Sequence, residues 1–136
     1  MSIATATHAH IEYELIGEDQ AEVVVIGFLS HEIVGPHQAD ELREQLDAMI
    51  RADWCGNYVI DFRNVWSLGS TAFAEIAGFV RRVWRVRLCN LDETLRLGAA
   101  LIGLDEEVEM FDSRAAAIRA ARRDARRGEE DTVDFP

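Results

Sequence analysis

The sequence predicts an α/β domain, a mixed and mostly parallel sheet of about five strands with about four helices packed on it. Three observations carry this expectation. The run "AEVVVIGFLS" (21–30) is β-branched and apolar at successive positions, the pattern of a central strand buried on both faces. From there onward, strand-like segments alternate with segments of helical periodicity, which is how parallel strands are joined through crossover helices. A chain of 136 residues, 49% hydrophobic and 29% charged, suits one compact domain with a filled core.

Each element has its own signal. Residues 1–9 show no periodic apolar face and read as a flexible leader. "IEYELIG" places Ile11, Tyr13 and Leu15 at alternate positions, a strand with one buried face, which next to "AEVVVIGFLS" supplies an antiparallel edge. Gly35-Pro36 breaks the chain, and "HQADELREQLDAMIRAD" then sets Leu42, Leu46, Met49 and Ile50 on one helical stripe. "NYVIDF" is the next strand. The segment after "GST" carries Phe73, Ile76, Ala77, Val80 and Trp84 at helical spacing. "VRLCNL" is a further strand, Asp92 an N-cap for the helix "ETLRLGAALIG" ending near Gly103, and "VEMF" a short strand. Asp112-Ser113 leads into the helix "RAAAIRAARRDARR" with six Arg. The domain is thus expected over residues 10–127, with an acidic and partly disordered tail over 128–136.

Composition narrows the function classes. A formal net charge of −11 argues against nucleic-acid binding, which needs a basic surface. The N-terminal "MSIATATHAH" has no apolar core of a secretory signal, and the longest apolar stretch, "VVVIGFL", is far short of the ~20 residues of a membrane helix. Cys55 and Cys89 have neither metal-ligand spacing nor disulfide-scaffold density, and a cytoplasmic setting is expected. The four His residues do not converge in sequence, so no metal is expected. No phosphate-binding glycine loop and no nucleophile with a positioned base can be traced, so no cofactor and no enzymatic activity are expected.

Two positions invite a chemical reading. Asp61, near the end of a buried strand, sits where a phospho-accepting receiver domain keeps its aspartate. Such a site also needs an acidic pair after the first strand and a lysine late in the chain. All 14 basic residues are Arg, and "VVVIGFLS" ends without acids, so a structural role in capping loop amides is favoured. Ser70 and Thr71 stand where a strand has ended and a helix begins. A helix start leaves backbone N–H groups unpaired and concentrates positive partial charge. A hydroxyl there is either a cap or a place that tolerates a phosphoryl group. A capping box would want Glu or Gln three residues on, and Phe73 and Ala74 occupy those places.

The run "VIDFRNVWSLGSTAF" resembles the central signature of STAS domains, in particular the bacterial anti-sigma factor antagonists. That signature is a buried strand, an acidic or amide residue, a short loop ending in an apolar position, and Asp-Ser-Ser/Thr-Gly-Leu opening a helix. Downstream, "VRLCNL" and "LRLGAALIGLDEEVEMFDSRAAAI" are similar to the remainder: a strand, a helix leading to Gly-Leu-Asp, a short strand and a final helix. The similarity runs from about residue 10 to about residue 123. Two departures stand out. Gly69 replaces the motif Asp, with Ala72-Phe73 in place of Gly-Leu, and Ser30 replaces the acid that relatives often carry after the second strand.

The resemblance implies a single STAS-type domain and a regulator that acts by partner switching. The phosphoacceptor hydroxyl falls on Ser70, with Thr71 the alternative, and the partner-binding positions fall on Ser30, Gly69, Ser70, Thr71 and Phe73. The implied partner is an anti-sigma factor of the histidine-kinase-like ATPase type. It is bound by the unphosphorylated form and released once it has phosphorylated that form. A metal-dependent Ser/Thr phosphatase reverses the modification. The reading also allows a homodimer. The missing acids favour an alternative: a STAS interaction module that is not phosphorylated and serves as scaffold or subunit in a signalling or transport assembly.

Overall fold

The structure, a computed structural model, describes residues 2–7 and 9–133. In chain order the elements are β1 (Ser2–Thr7), β2 (Ile11–Ile16), β3 (Val23–Phe28), β4 (Glu32–Ile33), α1 (Pro36–Ala52), β5 (Asn57–Asp61) and β6 (Ser67–Leu68). They continue with α2 (Ser70–Arg82), β7 (Arg85–Cys89), α3 (Glu93–Leu101), α4 (Leu104–Glu107), β8 (Glu109–Phe111) and α5 (Arg114–Val133). Six strands form one sheet in the order β1-β2-β3-β5-β7-β8, and β4 and β6 pair separately. The first two pairings are antiparallel and the next three parallel, the mixed and mostly parallel α/β sheet expected.

Both faces of the sheet are covered. Val24, Ile26 and Phe28 of β3 join Leu42, Leu46 and Met49 of α1 and Ile76 of α2 in the larger core. Val23 and Val25 face the other way, against Ala117 and Ala121 of α5. That double burial is why the β3 sequence has no polar alternation. Small residues one helical turn apart let α5 lie close on its face, and Asn57 fastens it there by donating to the carbonyls of Ala121 (2.8 Å) and Glu22 (3.1 Å). Asp92 caps α3 by accepting from the Leu95 N–H at 2.8 Å, as its position predicts.

The structure corrects the leader, the tail and one helix face. Residues 2–7 of the expected leader form edge strand β1, while residues 1 and 8 lie outside the described residues. β1 is held by its backbone ladder to β2 while residues 2–5 stay exposed, so it leaves no apolar pattern to read. Helix α5 runs to Val133 through most of the expected acidic tail, because no strong breaker interrupts it, and residues 134–136 lie outside the described residues. Trp84 falls beyond the end of α2 and is 56% exposed, not on the buried stripe of that helix.

Candidate functional site: the mouth of α2

Two loops leave the carboxyl ends of β3 and β5 and are sewn together before α2 begins. The Trp66 and Ser67 N–H groups donate to the His31 carbonyl at 2.7 and 3.2 Å, and the Gly69 N–H donates to the Ile33 carbonyl at 2.9 Å. The short β4–β6 ladder continues this seam. His31 adds a side-chain bond to the Asn64 carbonyl at 2.7 Å and stacks on Trp66, the ring centroids 4.2 Å apart and the planes 8° apart. The β3 exit therefore holds the start of α2 in a fixed place.

Helix α2 opens without a side-chain cap. Gly69 takes the N-cap position with φ −70° and ψ 163°, and the Phe73 N–H closes the first turn on the Gly69 carbonyl at 3.1 Å. Ser70 is the first helical residue. It and Thr71 are exposed, and neither hydroxyl has a protein hydrogen bond among the described residues. The capping role weighed for them is not the one they take. Both residues stand exposed at the positive end of a 13-residue helix, with no acidic residue in its first turn.

The residues singled out from the sequence divide here. Ser30 is half-buried, and its hydroxyl lies 2.7 Å from Nδ1 of the buried His10, so the β3 exit loop is tied back to the start of β2. Gly69, Ser70 and Thr71 come together on the surface, on the same sewn loops. Phe73 does not join them. It is only 7% exposed, and its ring packs against α3 where Gly98 has no side chain. Helical periodicity puts Phe73 on the stripe with Ile76 and Ala77, which faces inward, so it shapes the site from below.

Three exposed apolar residues on these loops are absent from the sequence-derived site: Leu29 (44% exposed), Val34 (47%) and Trp66 (64%). A tryptophan in a polar loop between a strand and a helix was the available signal, since large apolar side chains on loops more often serve contact than packing. His10 was missed because its burial and its Ser30 partner come from tertiary pairing. His8 lies outside the described residues.

Asp61 is the structural residue that the sequence favoured, and it also has a wider role. Its Oδ1 accepts from the Arg63 N–H (3.0 Å) and the Asn90 side chain (2.9 Å), and its Oδ2 accepts from Arg114 Nε (2.7 Å). Burial pushes this carboxyl up, but the hydrogen bonds from Asn90, Arg114 and the Arg63 amide, with the Arg114 charge, outweigh it and hold the group below its ordinary value. Neither cysteine is poised for chemistry. Burial, seconded by the Asp61 charge, pushes the Cys89 thiol up to about 12, and burial also raises the half-buried Cys55 thiol.

The α/β sheet with this helix mouth defines a fold class, and comparison with known proteins places it. No family model matches the sequence, and no curated protein matches it. Solved structures do match. An anti-sigma factor antagonist from Mycobacterium paratuberculosis is 23% identical, with 82% of this chain and 94% of that chain covered and a TM-score of 0.67. Protein TM1081 of Thermotoga maritima is 18% identical, over 90% and 97% of the two chains, with a TM-score of 0.66. The Bacillus cell-fate determinant SpoIIAA, an anti-sigma factor antagonist, matches in both states. Its unphosphorylated form is 22% identical (81% and 97% covered, TM-score 0.60), and its phosphorylated form 20% identical (79% and 98%, TM-score 0.57). The chain has the STAS fold of these anti-sigma factor antagonists. Among the described residues no helix is long and apolar enough to cross a membrane.

Proposed function

We propose that this protein is a partner-switching regulator of the anti-sigma factor antagonist kind, a binding protein whose grip on an anti-sigma factor is set by phosphorylation of Ser70. One observation carries the reading: Ser70 presents an unpartnered, solvent-exposed hydroxyl at the first turn of α2, on the same sewn loops as exposed Leu29, Val34 and Trp66. The apolar side chains offer the area on which a partner can be held, and the hydroxyl offers the point at which a charge can dislodge it. The fold supports the same reading, since it is shared with SpoIIAA in its phosphorylated and unphosphorylated forms.

The energetics suit a switch that needs no refolding. A phosphoryl group adds roughly −1.5 to −2 charge, and at a helix N-terminus the dipole makes that neutral or favourable by around 0.3–1 kcal/mol. Pressed into an apolar interface, the same group must shed water without a matching cation. A penalty of only ~3 kcal/mol there weakens binding more than a hundredfold. The partner proposed is an anti-sigma kinase of the histidine-kinase-like ATPase type, with a metal-dependent phosphatase reversing the mark and Thr71 as the secondary acceptor.

A second reading is favoured by Gly69. With no acid at the N-cap, the chain would act as a STAS interaction module without phosphate control. Incubation with ATP and a candidate anti-sigma kinase from the same genome, followed by phosphopeptide mapping, separates the two. Phosphate on Ser70 that is abolished in Ser70→Ala supports the first; stable binding of that kinase with no phosphate transfer supports the second.

A further inference from the structure

We infer that the cleft at the carboxyl ends of β3, β5 and β7, on the α5 side of the sheet, is a binding site for a compact zwitterion of the α-amino acid class. In parallel α/β sheets the crevice beyond the strand ends is where ligands are received. Here it measures about 590 Å³ and is lined by Glu12, Gly27, Asp61, Arg63, Asn64 and Arg114 among others. A second hollow of about 450 Å³ adjoins it, sharing Glu12, Gly27 and Arg114. Both volumes fall in the range of small-molecule sites.

The sheet register builds the floor. Glu12, Gly27, Asp61 and Cys89 stand directly opposite one another on β2, β3, β5 and β7, so their side-chain positions share the face toward α5. In that row Gly27 leaves a gap. A Cβ there would stand 3.3 Å from Arg114 Nη2 and 3.4 Å from Glu12 Oε1. The guanidinium and the carboxylate thus border the same gap from two sides, yet they form no ion pair with each other. Glu12 has no hydrogen-bond or ionic partner among the described residues. Arg114 is held by its Nε on Asp61, which orients the group and leaves its Nη nitrogens without a protein hydrogen bond. Arg63 lines the cleft with its side chain likewise unpaired.

Charge decides the ligand class. Asp61 is occupied by Arg114, Asn90 and the Arg63 amide, so the charged groups still open to a ligand in the main cleft are the Glu12 carboxylate and two guanidinium ends, with the Glu14 carboxylate further off in the adjoining hollow. A simple anion would bind the arginines but confront Glu12, and a simple cation would satisfy Glu12 but confront the arginines. A molecule carrying an ammonium and a carboxylate side by side satisfies both, with charge-assisted bonds at each end. Thr5, Ala6, Tyr13, Glu14 and Val25 wall the adjoining hollow, which gives a ligand side chain somewhere to go, and the Glu14 carboxylate favours one that is a donor or carries positive charge.

The test is a titration of the full chain with each proteinogenic L-amino acid, by calorimetry and thermal shift. For any that binds, the matching carboxylic acid without the ammonium and the matching amine without the carboxylate are titrated too. At least one amino acid is expected to bind one to one and raise the melting temperature, with both truncated analogues weaker by roughly tenfold or more. Glu12→Gln should weaken that binding by about tenfold or more, and Gly27→Ala, which fills the gap, should weaken it further. The inference is overturned if no amino acid binds at about 10 mM, far weaker than any functional site requires. It is equally overturned if an analogue lacking one charge binds as well as the amino acid, or if Glu12→Gln retains full affinity with its fold intact.

Discussion

Gly98→Ala should destabilise the domain, although alanine is the better helix former. Exchanging glycine for alanine in the middle of α3 gains about 1 kcal/mol of helix propensity. The new methyl, however, would stand 2.7 and 2.8 Å from Cε2 and Cζ of Phe73. Those contacts need to open by more than half an ångström, and the ring cannot swing away because it is only 7% exposed between α2 and α3. Overpacking of this kind costs about 1–3 kcal/mol, so the net effect is a loss of about 1 kcal/mol. The sign should reverse once the ring is gone: in a Phe73→Leu background, Gly98→Ala has space and should recover about the propensity gain, a coupling of about 2 kcal/mol. Urea unfolding of the four proteins, read as midpoint shifts at constant m, measures this cycle. A Gly98→Ala protein more stable than the parent, or a cycle with no coupling, would refute the account of how Phe73 wedges α2 in place.

Other expectations follow from the same geometry. Folding holds the Asp61 carboxyl below its unfolded value of about 3.9, so the stability it contributes is fully present above that pH and is lost as the pH falls through the lower folded value. Acid-unfolding curves of Asp61→Asn should accordingly be flatter below about pH 4 than those of the parent. Gly69→Asp should be tolerated, because φ and ψ are ordinary and the new Cβ meets Val34 Cα at 3.4 Å; a side-chain cap should add a few tenths of a kcal/mol in thermal unfolding. With the acid restored, phosphate transfer to Ser70 by a cognate kinase should be faster in a time course. Trp66→Ala should cost about 1 kcal/mol or less of stability, the worth of its stack on His31 in a ring that is 64% exposed, while lowering partner affinity by about tenfold or more in a pull-down titration.

What the sequence disclosed followed from how each element is stabilised. β3 and α1 were legible because burial writes itself as composition: every residue of β3 is buried, and Leu42, Leu46 and Met49 recur at helical spacing. β1 was illegible because an edge strand held by backbone bonds needs no apolar side chains, and the β4–β6 pair was too short to leave a pattern. In the site, Ser70 and Gly69 were visible as a local motif at a strand-to-helix joint. The Trp66–His31 stack and the His10–Ser30 bond join residues 35 and 20 positions apart and depend on the sheet register, which no local pattern encodes. Phe73 stands apart from the exposed residues for the converse reason. Its place next to the motif suggested contact with a partner, whereas its helical phase and the missing side chain at Gly98 draw it inward.

The most direct measurement compares the affinity of an anti-sigma kinase for the unmodified protein and for protein stoichiometrically phosphorylated on Ser70. The account predicts a loss of about a hundredfold or more on phosphorylation, with circular dichroism and melting temperature unchanged. Equal affinities for the two forms, or a loss accompanied by unfolding, would contradict it.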